Sequence, residues 1–243
     1  MKKWLWIIPI SALVLILGFI IWAETPLGPM PEAVDALQSD SLVQVKQDGW
    51  ISFEPVNQNA DTGLIIYPGG RVDPRSYAPT ARAIAEQGYQ VVIATMPLNL
   101  AVFNPGRAAD IIAEYPGISA WALAGHSLGG AMAANYIASN AQAVDALALW
   151  ASYPAESDSL VETNLLALSL YATLDGLTSL YEIEDSQRLL PEDTQFTAID
   201  GGNHGQFGWY GEQPGDNPAT ISREQQQLEI ITAMVTLLEQ IQP

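Results

Sequence analysis

From residue 41 onward, short uninterrupted apolar runs alternate with segments whose apolar positions recur at helical spacing. The runs at 64–67, 90–95, 120–124, 146–150, 165–172 and 195–199 are bounded by Gly, Pro and Asp, as expected of strands buried on both faces. Helices are predicted between them. One spans 77–87 and closes on Gly88 as C-cap, a second spans 105–115, and a third runs from Gly129 to about residue 140. A fourth starts at the capping box Ser222-Arg223-Glu224-Gln225 and continues to about residue 240. Segments 42–45 and 50–53 form an opening hairpin across Asp48-Gly49. Repeated strand–helix alternation predicts a mostly parallel sheet with helices on both faces, one α/β domain over 41–243. Connections after the strands leave little chain for a lid, and no internal repeat is visible.

The N-terminus has a different pattern. Residues 4–23 are uncharged and almost wholly apolar, follow Lys2 and Lys3, and carry Trp4, Trp6 and Trp22 near their ends. That is about the 20-residue span of a bilayer core, with aromatic residues where an interfacial belt is expected. The expectation is an uncleaved single-pass transmembrane anchor (1–23), with the lysines cytoplasmic and the domain on the extracytoplasmic side of the cell membrane. A cleaved signal peptide and a secreted domain are the alternative, disfavoured by the length of the run and by the poor cleavage site Ile21-Trp22-Ala23. Residues 24–40, with the proline-rich stretch 25–31, read as a linker.

Composition narrows the chemistry. A formal net charge of −18 excludes nucleic acid and polyanionic substrates as favoured partners and disfavours anionic lipid headgroups. The absence of cysteine removes disulfides, thiolate metal sites, a thiol nucleophile and lipoprotein acylation. Asp216-Asn217 lacks the spacing of a calcium loop, and two distant histidines make no zinc motif, so neither metal nor cofactor is expected.

Within this frame, Gly125-His126-Ser127-Leu128-Gly129 stands between a predicted strand and a predicted helix. Such a turn thrusts a serine hydroxyl out of the fold and tolerates only glycine two residues to either side. A serine nucleophile needs a base, and the base needs an orienting acid. His126 adjoins Ser127 and points away from its hydroxyl to pack beside the sheet. That leaves His204, on the glycine-rich loop after the last strand, as the base. Asp175, after the penultimate strand, is the chosen acid; Asp200, Glu182, Glu184 and Asp185 compete. The backbone N–H groups of Gly70 and Leu128 are expected to form the oxyanion hole. Pro68-Gly69-Gly70 lacks the Gly-Lys-Ser/Thr of a phosphate loop. Arg71, Asn99, Phe103 and Trp209 share the same predicted sheet edge and are candidates for substrate binding, with Arg71 and Arg75 equally able to pair with Asp73.

These motifs resemble the α/β-hydrolase fold, in particular its small, lidless bacterial branch related to dienelactone hydrolases. The match lies in Gly125-His126-Ser127-Leu128-Gly129-Gly130, Tyr67-Pro68-Gly69-Gly70, Leu174-Asp175-Gly176 and Gly202-Asn203-His204, in that family's order, over residues 41–243. The resemblance implies a serine hydrolase, a carboxylesterase above all, that cleaves a small-molecule acyl substrate through an acyl-enzyme. Two other readings stay open: a peptidase or amidase of the same fold, and a catalytically inactive binding module. Ser127 stands where dienelactone hydrolases carry cysteine, so their substrate does not transfer. Pro68 replaces the histidine common in the family's oxyanion loop. Oligomeric state is not legible.

Overall fold

The computed structural model describes residues 7–241. One eight-stranded sheet organises them, in the order β1-β2-β4-β3-β5-β6-β7-β8. Strands β1 (Val43–Gln47) and β2 (Ile51–Pro55) form the predicted hairpin, turning through Gly49 at φ 76°. Strand β2 pairs antiparallel with β4 (Gln90–Ile93). From there on β3 (Thr62–Tyr67), β5 (Ala120–His126), β6 (Ala146–Trp150), β7 (Leu166–Ala172) and β8 (Gln195–Ile199) run parallel. The observed strand β5 extends two residues past the expected one, carrying the chain straight into the elbow.

Period-two alternation sends each central strand's side chains to two cores. Leu64 and Ile66 of β3, and Ala120, Ala122 and Ala124 of β5, enter one core with helix α3 (Ala78–Ala85) and helix α7 (Arg223–Gln240). Ile65, Tyr67, Trp121 and Leu123 enter the other, with α4 (Arg107–Glu114) and α5 (Leu128–Ser139). Helix α7 buries Ile230, Met234, Leu237 and Leu238, spaced one and two turns apart on a single stripe. Each such burial contributes about 1.5–3 kcal/mol, and that stripe holds the helix on the sheet. The short helix α6 (Leu180–Ser186) starts at a complete capping box between Ser179 and Glu182. Among the described residues no helix is inserted between β6 and β7.

The N-terminal segment needs correction in one respect. Helix α1 covers 17 residues, Ile7–Ala23, and among the described residues no helix is long and apolar enough to cross a membrane. Residues 4–6 of the expected span, with Lys2 and Lys3, lie outside the described residues. The stretch expected as linker lies on the domain: Leu27 bridges Val72 in parallel, and the short helix α2 (Pro31–Asp35) buries Ala33.

Strand order reverses about β3. The chain steps from β3 outward to β4, then returns to place β5 on β3's other side. Open α/β sheets bind ligands at the carboxyl ends of strands flanking such a switch, which here is the edge where Gly70 and Ser127 emerge.

Candidate active site

Ser127 sits between β5 and α5 with φ 51° and ψ −123°, a conformation strained for any residue but glycine. The surroundings dictate it. A Cβ on Gly125 would lie 2.5 Å from the carbonyl carbon of Gly129, and one on Gly129 would strike the Tyr67 and Pro68 carbonyl oxygens. Three further contacts hold the turn: the Ser127 N–H donates to Trp150 O at 2.9 Å, the Gly130 N–H donates to Ser127 O at 3.0 Å, and the buried Ser152 hydroxyl donates to Ser127 O at 2.6 Å. The Ser152 contact was not legible, because nothing near Ser127 in sequence announces it.

Asp175 and His204 are brought together. Nδ1 of His204 lies 2.8 Å from Oδ2 of Asp175, with both side chains almost fully buried. The other carboxylate oxygen accepts the N–H groups of Leu177 and Thr178, each at 2.7 Å. An ionised carboxylate only accepts, so this contact favours the tautomer with its proton on Nδ1, the one that leaves Nε2 able to take a proton. Nε2 is buried and has no hydrogen-bond partner among the described residues, so no hydrogen bond yet joins it to Ser127 Oγ. Apo sites of this kind often close such a contact only with substrate present. The competing acids are engaged elsewhere. Asp200 accepts from Thr173 at 3.1 Å, Glu182 from Tyr153 at 2.7 Å, Asp185 pairs with Arg188, and Glu184 is exposed.

His126 packs away from the hydroxyl, as expected, but with an unforeseen arrangement. Fully buried, it places Nδ1 2.8 Å from the Tyr77 hydroxyl, stacks on Phe207 and touches the His204 ring at 4.6 Å. Burial first, and the neighbouring His204 ring second, hold its pKa well below the ordinary 6.5. The same Tyr77 oxygen accepts the Gly69 N–H at 2.9 Å, and burial pushes the phenol's pKa up. Tyr77 and His126 thus support the Gly69–Gly70 loop. Gly70 abuts Leu128, whose side chain would lie 3.1 Å from a Cβ at Gly70. Neither the Gly70 N–H nor the Leu128 N–H has an acceptor among the described residues.

The sequence brings up Asp216 only beside Asn217, as a stretch without calcium-loop spacing, and does not place it at this site. Its carboxylate accepts N–H groups from Gly176 (3.0 Å), Gly205 (2.7 Å) and His204 (3.3 Å), joining the turn that carries Asp175 to the loop that carries His204. Helix α7 holds that loop from the other side. Gln226 exchanges hydrogen bonds with the Asn203 backbone at 3.0 and 2.8 Å, Gln227 donates to Gln206 O at 2.6 Å, and Arg223 donates to the carbonyls of Gly205, Gly208 and Gly211. A polar cavity of about 410 Å³, lined by Asn203, Gln206, Asp216 and Arg223 among others, lies behind this loop and does not reach Ser127.

The expected substrate-binding residues divide. Arg71 and Asn99 direct their side chains to backbone carbonyls at the end of α1, and Trp209 is buried. Phe103 is exposed. Arg75 forms an ion pair with Asp73 at 2.6 Å. Among the described residues no group of His, Asp and Glu is arranged to hold a metal.

The comparisons agree with this architecture. A crystal structure of a predicted CIB-like hydrolase from Thermoplasma acidophilum superimposes with a TM-score of 0.61 at 14% identity, covering 82% of this chain and 99% of the other. The esterase domain of a Rhodothermus marinus protein does so at 0.61 and 12%, covering 82% and 98%. At those identities the likeness is one of fold. No curated protein matches the sequence. The family model described as the alpha/beta hydrolase family matches residues 63–228, from β3 through the elbow and the His204 loop into α7. The chain therefore belongs to the alpha/beta hydrolase family and is a hydrolase.

Proposed function

We propose that the protein is a serine carboxylesterase working through an acyl-enzyme. Ser127 Oγ attacks the ester carbonyl as His204 Nε2 takes its proton, and Asp175 stabilises the imidazolium that forms. The carbonyl oxygen, now an anion, is held by the N–H groups of Gly70 and Leu128. His204 protonates the departing alcohol, then deprotonates the water that releases the acid. The observations that carry this reading are the buried 2.8 Å Asp175–His204 pair, with the other imidazole nitrogen unpartnered, and the strained elbow that holds Ser127.

We further propose that residues 4–23 hold the protein in the membrane as a single-pass anchor with the domain on the extracytoplasmic side. The support is the uncharged apolar run behind Lys2 and Lys3, three of whose residues precede the described helix.

The test is a fluorophosphonate probe on the full chain, with the labelled residue read by mass spectrometry, followed by short-chain p-nitrophenyl esters and matched amides. Labelling at Ser127, and ester turnover that falls by about 10⁴–10⁶-fold in Ser127→Ala, is the expected result. Faster amide than ester cleavage makes the protein an amidase. A folded chain that neither labels nor turns over is a binding module.

A further inference from the structure

Helix α1 ends against the loops that flank the oxyanion pair. Arg71, directly after Gly70, occupies the left-handed region at φ 56°. Its guanidinium donates to Trp22 O at 2.8 Å and Thr25 O at 2.7 Å, and lies over the Trp22 indole at 4.2 Å. Asn99 donates from Nδ2 to Ala23 O at 3.0 Å, and its own carbonyl accepts the Arg71 N–H at 2.8 Å. The last carbonyls of a helix lack intrahelical partners, so these two side chains serve as its cap. A flexible tether would leave the domain free to turn beneath its anchor. This docking fixes the direction of α1 relative to Gly70.

The surface that α1 presents is apolar on every side. All side chains from Pro9 to Trp22 are exposed and none is charged. A helix of that kind fits hydrocarbon better than it fits water or a one-sided protein groove. The apolar surface continues onto the domain. Phe19 meets Trp22 at 5.7 Å and, edge-on, Phe103 at 6.3 Å. Val102 and Phe103 are each 51% exposed, and Leu100 of the same loop would lie 3.6 Å from a Cβ at Gly70. Lys2 and Lys3 ahead of the helix complement lipid phosphates, while the net charge of −18 selects against a strongly anionic surface.

Resting on the anchored-esterase reading above, we propose that the catalytic mouth opens onto the membrane surface. The Val102–Phe103 loop rests in the headgroup layer of a zwitterionic bilayer, and the substrates are acyl esters of amphiphiles resident in that bilayer. Ser127 takes the acyl group, the amphiphile leaves as its alcohol with the proton from His204, and water releases the fatty acid.

The experiment uses the full chain reconstituted in phosphatidylcholine vesicles with two fluorogenic esters, one short-chain and water-soluble, the other long-chain and held in the same bilayer. Wild type is expected to cleave both. Val102→Asp should slow the bilayer-held ester by about tenfold or more, the scale of one apolar side chain's transfer energy, and leave the soluble ester unchanged. Val102→Leu, which keeps the surface apolar, should behave as wild type and controls for damage to the loop. Cleavage of the soluble ester alone by wild type overturns the proposal, as does an equal effect of Val102→Asp on both esters or on neither. Failure to cleave either ester, with no labelling of Ser127, overturns the esterase reading instead. Failure to float with vesicles overturns the anchor.

Discussion

The hydroxyl of Tyr77 lies 2.8 Å from Nδ1 of His126 while accepting the N–H of Gly69, so one buried oxygen links the Gly69–Gly70 loop to the residue before Ser127. The Tyr77–Nδ1 contact gives both groups a partner in either direction of the proton. Tyr77→Phe leaves the Gly69 N–H and the imidazole nitrogen without a partner. A loss of about 1–3 kcal/mol per stranded group is expected, read as a lower urea midpoint with an unchanged m-value. Because Gly70 follows Gly69, kcat should fall as well, with KM little changed.

His126 also makes stability depend on pH. Its folded-state pKa is depressed below the ordinary 6.5, so above 6.5 the imidazole is neutral in both states. As pH falls from there, the unfolded chain binds a proton that the folded chain refuses. Stability from this group is therefore present above 6.5 and declines below it, by up to about 1.4 kcal/mol per pH unit. His126→Gln should remove that slope, seen by comparing urea midpoints of the two proteins between neutral pH and about pH 5.

The two loop aspartates nearest His204 in space and in sequence should behave oppositely. Asp175→Asn is expected to lower kcat by about 10⁴-fold with the fold intact, because the amide no longer holds the required tautomer. Asp200→Asn touches only the Thr173 hydroxyl and the backbone around it, and should stay within about twofold of wild type, an effect inside the usual range for surface substitutions. Steady-state kinetics on one soluble ester distinguishes them.

Asp216 touches no reacting atom. Asp216→Ala frees the acid turn from the base loop, and misplacement on the ångström scale costs about 10–100-fold in rate. Asp216→Asn retains one acceptor oxygen and should recover part of the loss. If kcat falls in Ala, recovers in Asn, and KM stays level in both, the residue is a positioning one. A change in KM alone would assign it to substrate contact.

The contrast between Asp175 and Asp216 shows where the sequence is transparent. Asp175 follows a legible strand, precedes Gly176 and stands between a serine elbow and a loop histidine, which favours it over Asp200, Glu182, Glu184 and Asp185. Asp216 lies in a stretch without regular structure, and its value comes from three N–H groups supplied by chain folded back from residues 176, 204 and 205. The sheet was readable for the same reason as Asp175, since β3, β5 and β6 are continuous apolar runs with turn residues at both ends. Arg71 and Asn99 were placed at the right edge but given to substrate, because nothing local shows that the last carbonyls of α1 arrive there.

The inward-facing glutamines of α7 have a practical consequence. Gln226 and Gln227 are buried and carry the backbone of the loop on which His204 rides, so α7 acts as a mounting for that loop as well as a cover for the sheet. A change in how α7 packs on the sheet is therefore carried to the Asn203–Gln206 backbone and felt at His204.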